Sequence, residues 1–185
     1  MDLNDNASFP SLDRENMLAH IDGLPQQLLQ AWKLGSTQPL PTMDPVERIV
    51  VSGMGGSAIG ADLLASFLSD RLSVPMIVHR DYGLPGFARS KNTLVVVSSH
   101  SGNTEESLSA FEQAAKSGCQ VVCISTGGKL QSKAEELGYP VWLFKHTGQP
   151  RSAVGYSFGL LLALFICLGL VTDLSDEVEG AVEVM

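Results

Sequence analysis

The sequence predicts an α/β fold, a three-layer αβα sandwich built on a five-stranded parallel sheet. Short apolar segments rich in β-branched residues, as at 48–52 and 92–99, alternate with amphipathic helical segments. Strands of this kind are buried on both faces, which requires helices on each side of the sheet. Because crossovers between parallel strands are right-handed, we expect the flavodoxin-like strand order 2-1-3-4-5.

The elements follow in a regular order along the chain. We expect strands at residues 48–52, 75–79, 92–99, 119–126 and 139–144. Helices are expected after the first, third, fourth and fifth strands, at about residues 57–69, 104–117, 129–137 and 153–171. Before the first strand, apolar residues at helical spacing over 13–34 predict two helices, the second starting at Pro25.

These elements suggest three parts of the chain. Residues 1–45 read as an N-terminal helical arm and linker, 46–172 as one α/β domain and 173–185 as a connecting segment. The length of 185 residues fits a single compact domain.

Composition excludes several classes of function. With a net charge of −8, the chain lacks the clustered Lys and Arg of a nucleic-acid binder. Its three cysteines do not form a disulfide framework, and the first residues do not resemble a secretory signal, so a cytoplasmic protein is expected. No histidine has a second ligand at metal spacing, and we expect neither a metal nor an organic cofactor.

Residues 153–171 form the longest apolar segment and approach the length of a transmembrane helix. Tyr156, Ser157, three glycines and an acidic continuation favour instead a helix buried against protein. A monomer would expose part of such a helix, so we expect a homodimer or a second domain packed on it.

Two loops carry the candidate site, "SGMGGSAIG" after the first strand and "SSHSGNTEE" after the third. In a doubly wound sheet, ligands bind beyond the carboxyl ends of the strands where the strand order reverses, which here lies between these two strands. Each loop leads into a helix N-terminus, which attracts anions. Small residues permit close approach and hydroxyls donate hydrogen bonds: Gly55, Gly56, Gly102, Ser57, Ser99, Ser101 and Thr104.

The first loop also resembles a dinucleotide fingerprint. His79 and Arg80 follow the second strand, however, where an acidic residue is expected to bind the ribose, although Asp81 is nearby. A Walker A loop is excluded because no Gly-Lys-Ser/Thr occurs there. A phosphate group without a nucleotide is the better fit.

Together, "GMGGSAIG" and "SSHSGNT" resemble the sugar isomerase (SIS) domain, whose second loop typically reads Ser-x-Ser-Gly-Asn/Glu-Thr. Residues 51–64 and "PRSAVGYSFG" at 150–159 narrow the resemblance to the N-terminal half of bifunctional phosphoglucose/phosphomannose isomerases. The resemblance implies a site for a hexose 6-phosphate. Its residues would be Gly55, Gly56 and Ser57 at the sugar, Ser99, Ser101, Gly102, Asn103 and Thr104 in the phosphate loop, and Arg151 near C1 and C2, where it would stabilise an enediolate.

In that family, the catalytic glutamate and the ring-opening histidine come from a second SIS domain, and residues 173–185 resemble the start of the connection to it. We therefore expect the phosphosugar-binding half of an isomerase, poorly active alone. Glu105 and Glu106 most simply complement the helix dipole, and His100 is either an exposed spacer or a sugar contact. The alternatives are a non-catalytic phosphosugar sensor, although residues 1–45 show no basic helix-turn-helix segment, and a generic α/β domain that only mediates assembly.

Overall fold

A computed structural model describes residues 7 and 9–185, and its five-stranded sheet confirms the predicted architecture. All neighbouring strands are parallel, in the order β2-β1-β3-β4-β5. The strands are β1 (Arg48–Ser52), β2 (Met76–His79), β3 (Thr93–Ser99), β4 (Gln120–Ser125) and β5 (Val141–Leu143).

Eight α-helices accompany the sheet in the described residues. They are α1 (Phe9–Leu12), α2 (Met17–Asp22), α3 (Leu24–Gly35), α4 (Gly55–Phe67), α5 (Glu105–Lys116), α6 (Gly128–Glu136), α7 (Val154–Cys167) and α8 (Ser175–Val184). Short 3₁₀ helices lie at Gly86–Ala88 and Pro150–Ser152. The sequence did not predict α8, and α7 ends earlier than expected, just before Gly169, whose φ is +68°.

The sheet separates two apolar cores, because alternate side chains of a strand point to opposite faces. Leu94 and Val96 of β3 pack with residues of α3, α4, α7 and α8 on one face. Val95 and Val97 pack with residues of α5 and α6 on the other. All seven residues of β3 are buried, as expected for the central strand of a three-layer sandwich.

Helix α7 is enclosed by α3 and α4 within a single chain. Its residues from Leu160 to Phe165 are at most 2% exposed. Small residues permit the close packing: a Cβ on Gly159 would lie 2.7 Å from Cβ of Ala31, and one on Gly60 would lie 2.5 Å from Cβ of Ser157. Within one chain, α3 and α4 therefore cover residues 160–165, and the expected homodimer or second domain on this helix stays a prediction.

Within residues 7 and 9–185, no helix combines the length and the apolar character that crossing a membrane requires.

Candidate functional site

The loops after β1 and β3 meet at the carboxyl edge of the sheet, as the sequence predicted. β1 and β3 pair directly, from Arg48 with Thr93 to Ser52 with Val97. Beyond the strands, the backbone N–H of His100 donates to Ser57 Oγ at 3.2 Å. The strand order thus brings two segments more than forty residues apart into one crevice.

Both helices that begin at this crevice lack a side-chain cap. Met54 and Thr104 occupy the N-cap positions of α4 and α5, and neither makes a capping hydrogen bond through its side chain. The first N–H groups of a helix have no partner within the helix, and they lie at the positive end of its dipole. Two such ends at one crevice form a favourable position for an anion.

The loop after β3 is held in shape by its own hydroxyl groups. Ser99 Oγ accepts from the N–H of Gly102 at 3.2 Å and donates to Thr104 Oγ1 at 3.1 Å. Ser101 Oγ accepts from the N–H of Asn103 at 3.2 Å. In these contacts Ser57, Ser101 and Thr104 accept, so their hydroxyl hydrogens stay available to an anion, with no acceptor among the described residues.

Gly102 is required where the loop after β3 touches the loop after β4. Its φ is +65°, and a Cβ there would lie only 1.8 Å from the carbonyl oxygen of Gly127. The side chain of Asn103 strengthens this contact: its Oδ1 accepts from the N–H of Lys129 at 3.1 Å, and its Nδ2 donates to the carbonyl of Ser101 at 3.0 Å. Asn103 therefore joins the loop to the start of α6, a role that the sequence did not reveal.

Gly56 brings the segment of Arg151 against the loop after β1. A Cβ on Gly56 would lie 2.5 Å from the carbonyl oxygen of Pro150 and 3.2 Å from Cα of Arg151. The carbonyl of Ser152 accepts from Gln27 Nε2 of α3 at 2.8 Å, which anchors the segment from the other side. The exposed side chain of Arg151 lines a cleft of about 650 Å³ together with side chains such as Asp13 and His20, and the predicted residues of the two loops do not line this cleft.

Two histidines meet at the site, a contact that the sequence did not reveal. His100 Nε2 lies 3.0 Å from His146 Nδ1. The His100 ring packs edge-on against Phe144, with ring centroids 5.8 Å apart, and His146 packs edge-on against Tyr156 at 5.9 Å. Burial lowers the pKa of both histidines, and the nearby rings of His100 and His20 lower that of His146 further.

Glu105, in the first turn of α5, contacts a tyrosine outside the two loops of the candidate site. Glu105 is exposed, and its Oε2 accepts from the hydroxyl of Tyr82 at 3.1 Å, which raises the pKa of that tyrosine. Within the described part of the chain, no group of three or more His, Cys, Asp or Glu side chains is placed to hold a metal ion.

Comparisons with known proteins identify relatives that are longer than this chain. A bifunctional phosphoglucose/phosphomannose isomerase from Caldicellulosiruptor bescii is 43% identical over 170 residues, which cover 91% of this chain and 50% of that protein. The protein of the same name from Aquifex aeolicus is 39% identical, with coverage of 76% and 42%. The chain thus spans about half the length of the curated relatives it matches. No protein-family model matches it.

Several solved structures share the fold. A Clostridium difficile protein described as a phosphosugar isomerase superposes with a TM-score of 0.64 at 14% identity, covering 90% of this chain and 50% of that one. Vibrio vulnificus NanR in complex with ManNAc-6P gives 0.58 at 20% identity, with coverage of 88% and 66%. The sugar isomerase domain of the RpiR transcription factor from Sphaerobacter thermophilus gives 0.53 at 16% identity, with coverage of 95% and 96%.

Proposed function

We propose that this chain, which has the fold of an SIS domain and is homologous to half of the bifunctional phosphoglucose/phosphomannose isomerases, binds a hexose 6-phosphate between the loops after β1 and β3. The phosphate would lie at the N-terminus of α5, against the hydroxyls of Ser99, Ser101 and Thr104, with Gly102 and Asn103 shaping the loop. The sugar would extend along Gly55, Gly56 and Ser57 towards Arg151.

One observation carries this proposal: two helix N-termini without side-chain caps open at one crevice whose hydroxyls are already oriented. An uncapped helix start leaves amide donors unsatisfied, and a dianionic phosphate satisfies several of them at once. The hydrogen bonds among Ser99, Gly102 and Thr104 hold the loop before a ligand arrives, which lowers the entropy that binding must overcome.

The reaction we propose is the interconversion of glucose 6-phosphate or mannose 6-phosphate with fructose 6-phosphate. Such an isomerisation moves a proton between C1 and C2 through an enediolate, whose negative charge a guanidinium stabilises. The contact of its segment with Gly56 supports this role for Arg151. The base and the ring-opening acid would come from a second SIS domain, so we expect this chain alone to bind substrate with little turnover, and we propose a cytoplasmic location.

Calorimetric titration with fructose 6-phosphate, together with an isomerase assay, tests the proposal. Ser101→Ala combined with Thr104→Ala removes two hydroxyls of the phosphate loop and should abolish saturable binding at millimolar ligand. The matched control is Ser73→Ala combined with Thr172→Ala, two exposed residues away from the loop, which should bind as the wild type does. If the loop variant binds as tightly as the control, the phosphate does not lie in this loop.

A non-catalytic sensor of phosphosugars is the second candidate, because a transcription factor carries a domain of the same fold. The two candidates differ in what happens when a second SIS domain is supplied. An isomerase half gains turnover that depends on Arg151, whereas a sensor domain binds the same ligand and gains none. Arg151→Lys, which keeps the charge but not the planar guanidinium, should lower turnover far more than binding.

A further inference from the structure

The contact between His100 and His146 adds a titratable group to the candidate phosphate loop. His100 stands between Ser99 and Ser101, and its Nε2 lies 3.0 Å from His146 Nδ1. Since a neutral imidazole has one N–H and one bare nitrogen, one ring donates to the other. The contact joins the loop to the segment after β5, so a proton gained by one ring changes the surroundings of the other.

His100 is fixed from several directions. Its N–H donates to Ser57 Oγ at 3.2 Å, and its carbonyl accepts from the N–H of Thr126 at 3.1 Å and from the hydroxyl of Thr126 at 2.6 Å. His146 and the edge of Phe144 hold the ring. With Nε2 engaged, Nδ1 is the ring nitrogen left to meet a ligand, whereas His146 Nε2 is buried without a partner among the described residues.

Among the residues that the structure describes, no carboxylate forms an ion pair or a hydrogen bond with either ring of the pair. His20 and Tyr156 face His146, and the hydroxyl of Tyr156 donates to Gln30 Oε1. Among the described residues, no carboxylate contributes to the pKa of either paired histidine, and burial lowers both. Both shifts favour the neutral form of the pair in the free chain. An anion bound in the loop would supply the missing opposite charge and favour the protonated form.

We propose that His100 contacts the anionic end of the ligand through Nδ1, that His146 positions the His100 ring, and that the pair takes up one proton from solvent when the ligand binds. This inference rests on the proposed function, because a sugar phosphate supplies the negative charge. Binding raises the affinity of the pair for its proton, so the added affinity for ligand is fully present below the pKa of the free pair. It is lost as the pH rises through the higher pKa of the complex.

The test is calorimetric titration of fructose 6-phosphate at pH 6, 7 and 8, each in two buffers of different ionisation enthalpy, which gives the number of protons taken up. The wild type should take up a fraction of a proton at pH 7, and His100→Asn should lose that uptake. The ligand phosphate itself changes ionisation over this pH range, but this affects both proteins equally. Dividing the Kd of His100→Asn by the Kd of the wild type therefore cancels its effect. For a pKa increase of about one unit, this ratio should grow by up to about tenfold from pH 8 to pH 6.

Further variants separate positioning from simple structural effects. His146→Leu cannot accept a hydrogen bond from the His100 ring and should weaken binding at pH 6 more than at pH 8. His146→Asn keeps an acceptor oxygen and should restore part of that binding. His79→Asn, which removes a histidine at the end of β2, is the matched control and should keep the proton uptake of the wild type.

The possible results are distinguishable. Binding by the wild type without proton uptake, or a Kd ratio that does not change with pH, overturns this inference and leaves the proposed function intact. Absence of saturable binding in every variant, the wild type included, overturns both. The ¹⁵N shifts of the ring nitrogens, measured in the wild type with and without ligand, need no substitution. They should show protonation of the pair on binding, and unchanged shifts would overturn the inference even if a variant failed to fold.

Discussion

Replacing Gly102 by Ala should destabilise the domain more than the same change at another glycine of equal backbone conformation. Gly102 has a φ of +65°, and Gly118 has a φ of +67°. At Gly118 a Cβ would meet nothing within 4 Å, so Gly118→Ala carries only the left-handed penalty of about 1–2 kcal/mol. At Gly102 the added Cβ would lie 1.8 Å from the carbonyl oxygen of Gly127 and 2.9 Å from Ser125 Oγ.

That contact must be relieved by moving one loop away from the other, which resembles overpacking of a core and adds about 1–3 kcal/mol. Gly102→Ala should therefore lower the free energy of unfolding by roughly 2–5 kcal/mol, against about 1–2 kcal/mol for Gly118→Ala. Urea unfolding followed by circular dichroism measures both variants under the same conditions. Equal losses in the two variants would refute the argument, because they would show that the loops after β3 and β4 do not need their close approach.

Three further predictions concern the core, the thiols and the pH dependence of stability. Leu160→Ala, at a fully buried position of α7, should lower the free energy of unfolding by about 2–5 kcal/mol in urea titrations, and a loss below about 1 kcal/mol would contradict the enclosed position of the helix. Burial raises the pKa of Cys123 to about 12, so a thiol reagent at pH 8 should modify the exposed Cys167 of the native protein well before Cys123. Mass spectrometry of the labelled peptides measures this order, and the reverse order would count against the structure. Because burial lowers the pKa of His100 and His146 in the folded state, the unfolded chain binds more protons around pH 6. The free energy of unfolding should therefore fall as the pH drops from 7.5 to 5.5, and it should fall less in His146→Asn. An equal fall in both proteins would exclude the pair as its source.

The local pattern of the sequence is enough to predict the sheet and the two loops that meet at the candidate site. Buried strands must be apolar on both faces, so runs such as residues 94–97 identify strands from the local pattern alone. The handedness of crossovers then restricts the strand order, and the order fixes which two loops meet. The glycine, serine and threonine residues of those loops can be identified from the sequence alone, because they directly follow the strands in the chain.

The contacts between distant segments that line the candidate site and cover the core are visible only in the folded chain. His100 and His146 are 46 residues apart, and no periodicity links them; the folding of β5 beside β4 brings their segments together. No local pattern predicts the contact of Gly102 with Gly127 either, or the packing of α3 and α4 over α7. A local pattern shows that a face is apolar but not which element buries it, because burial is a contact between segments far apart in the sequence.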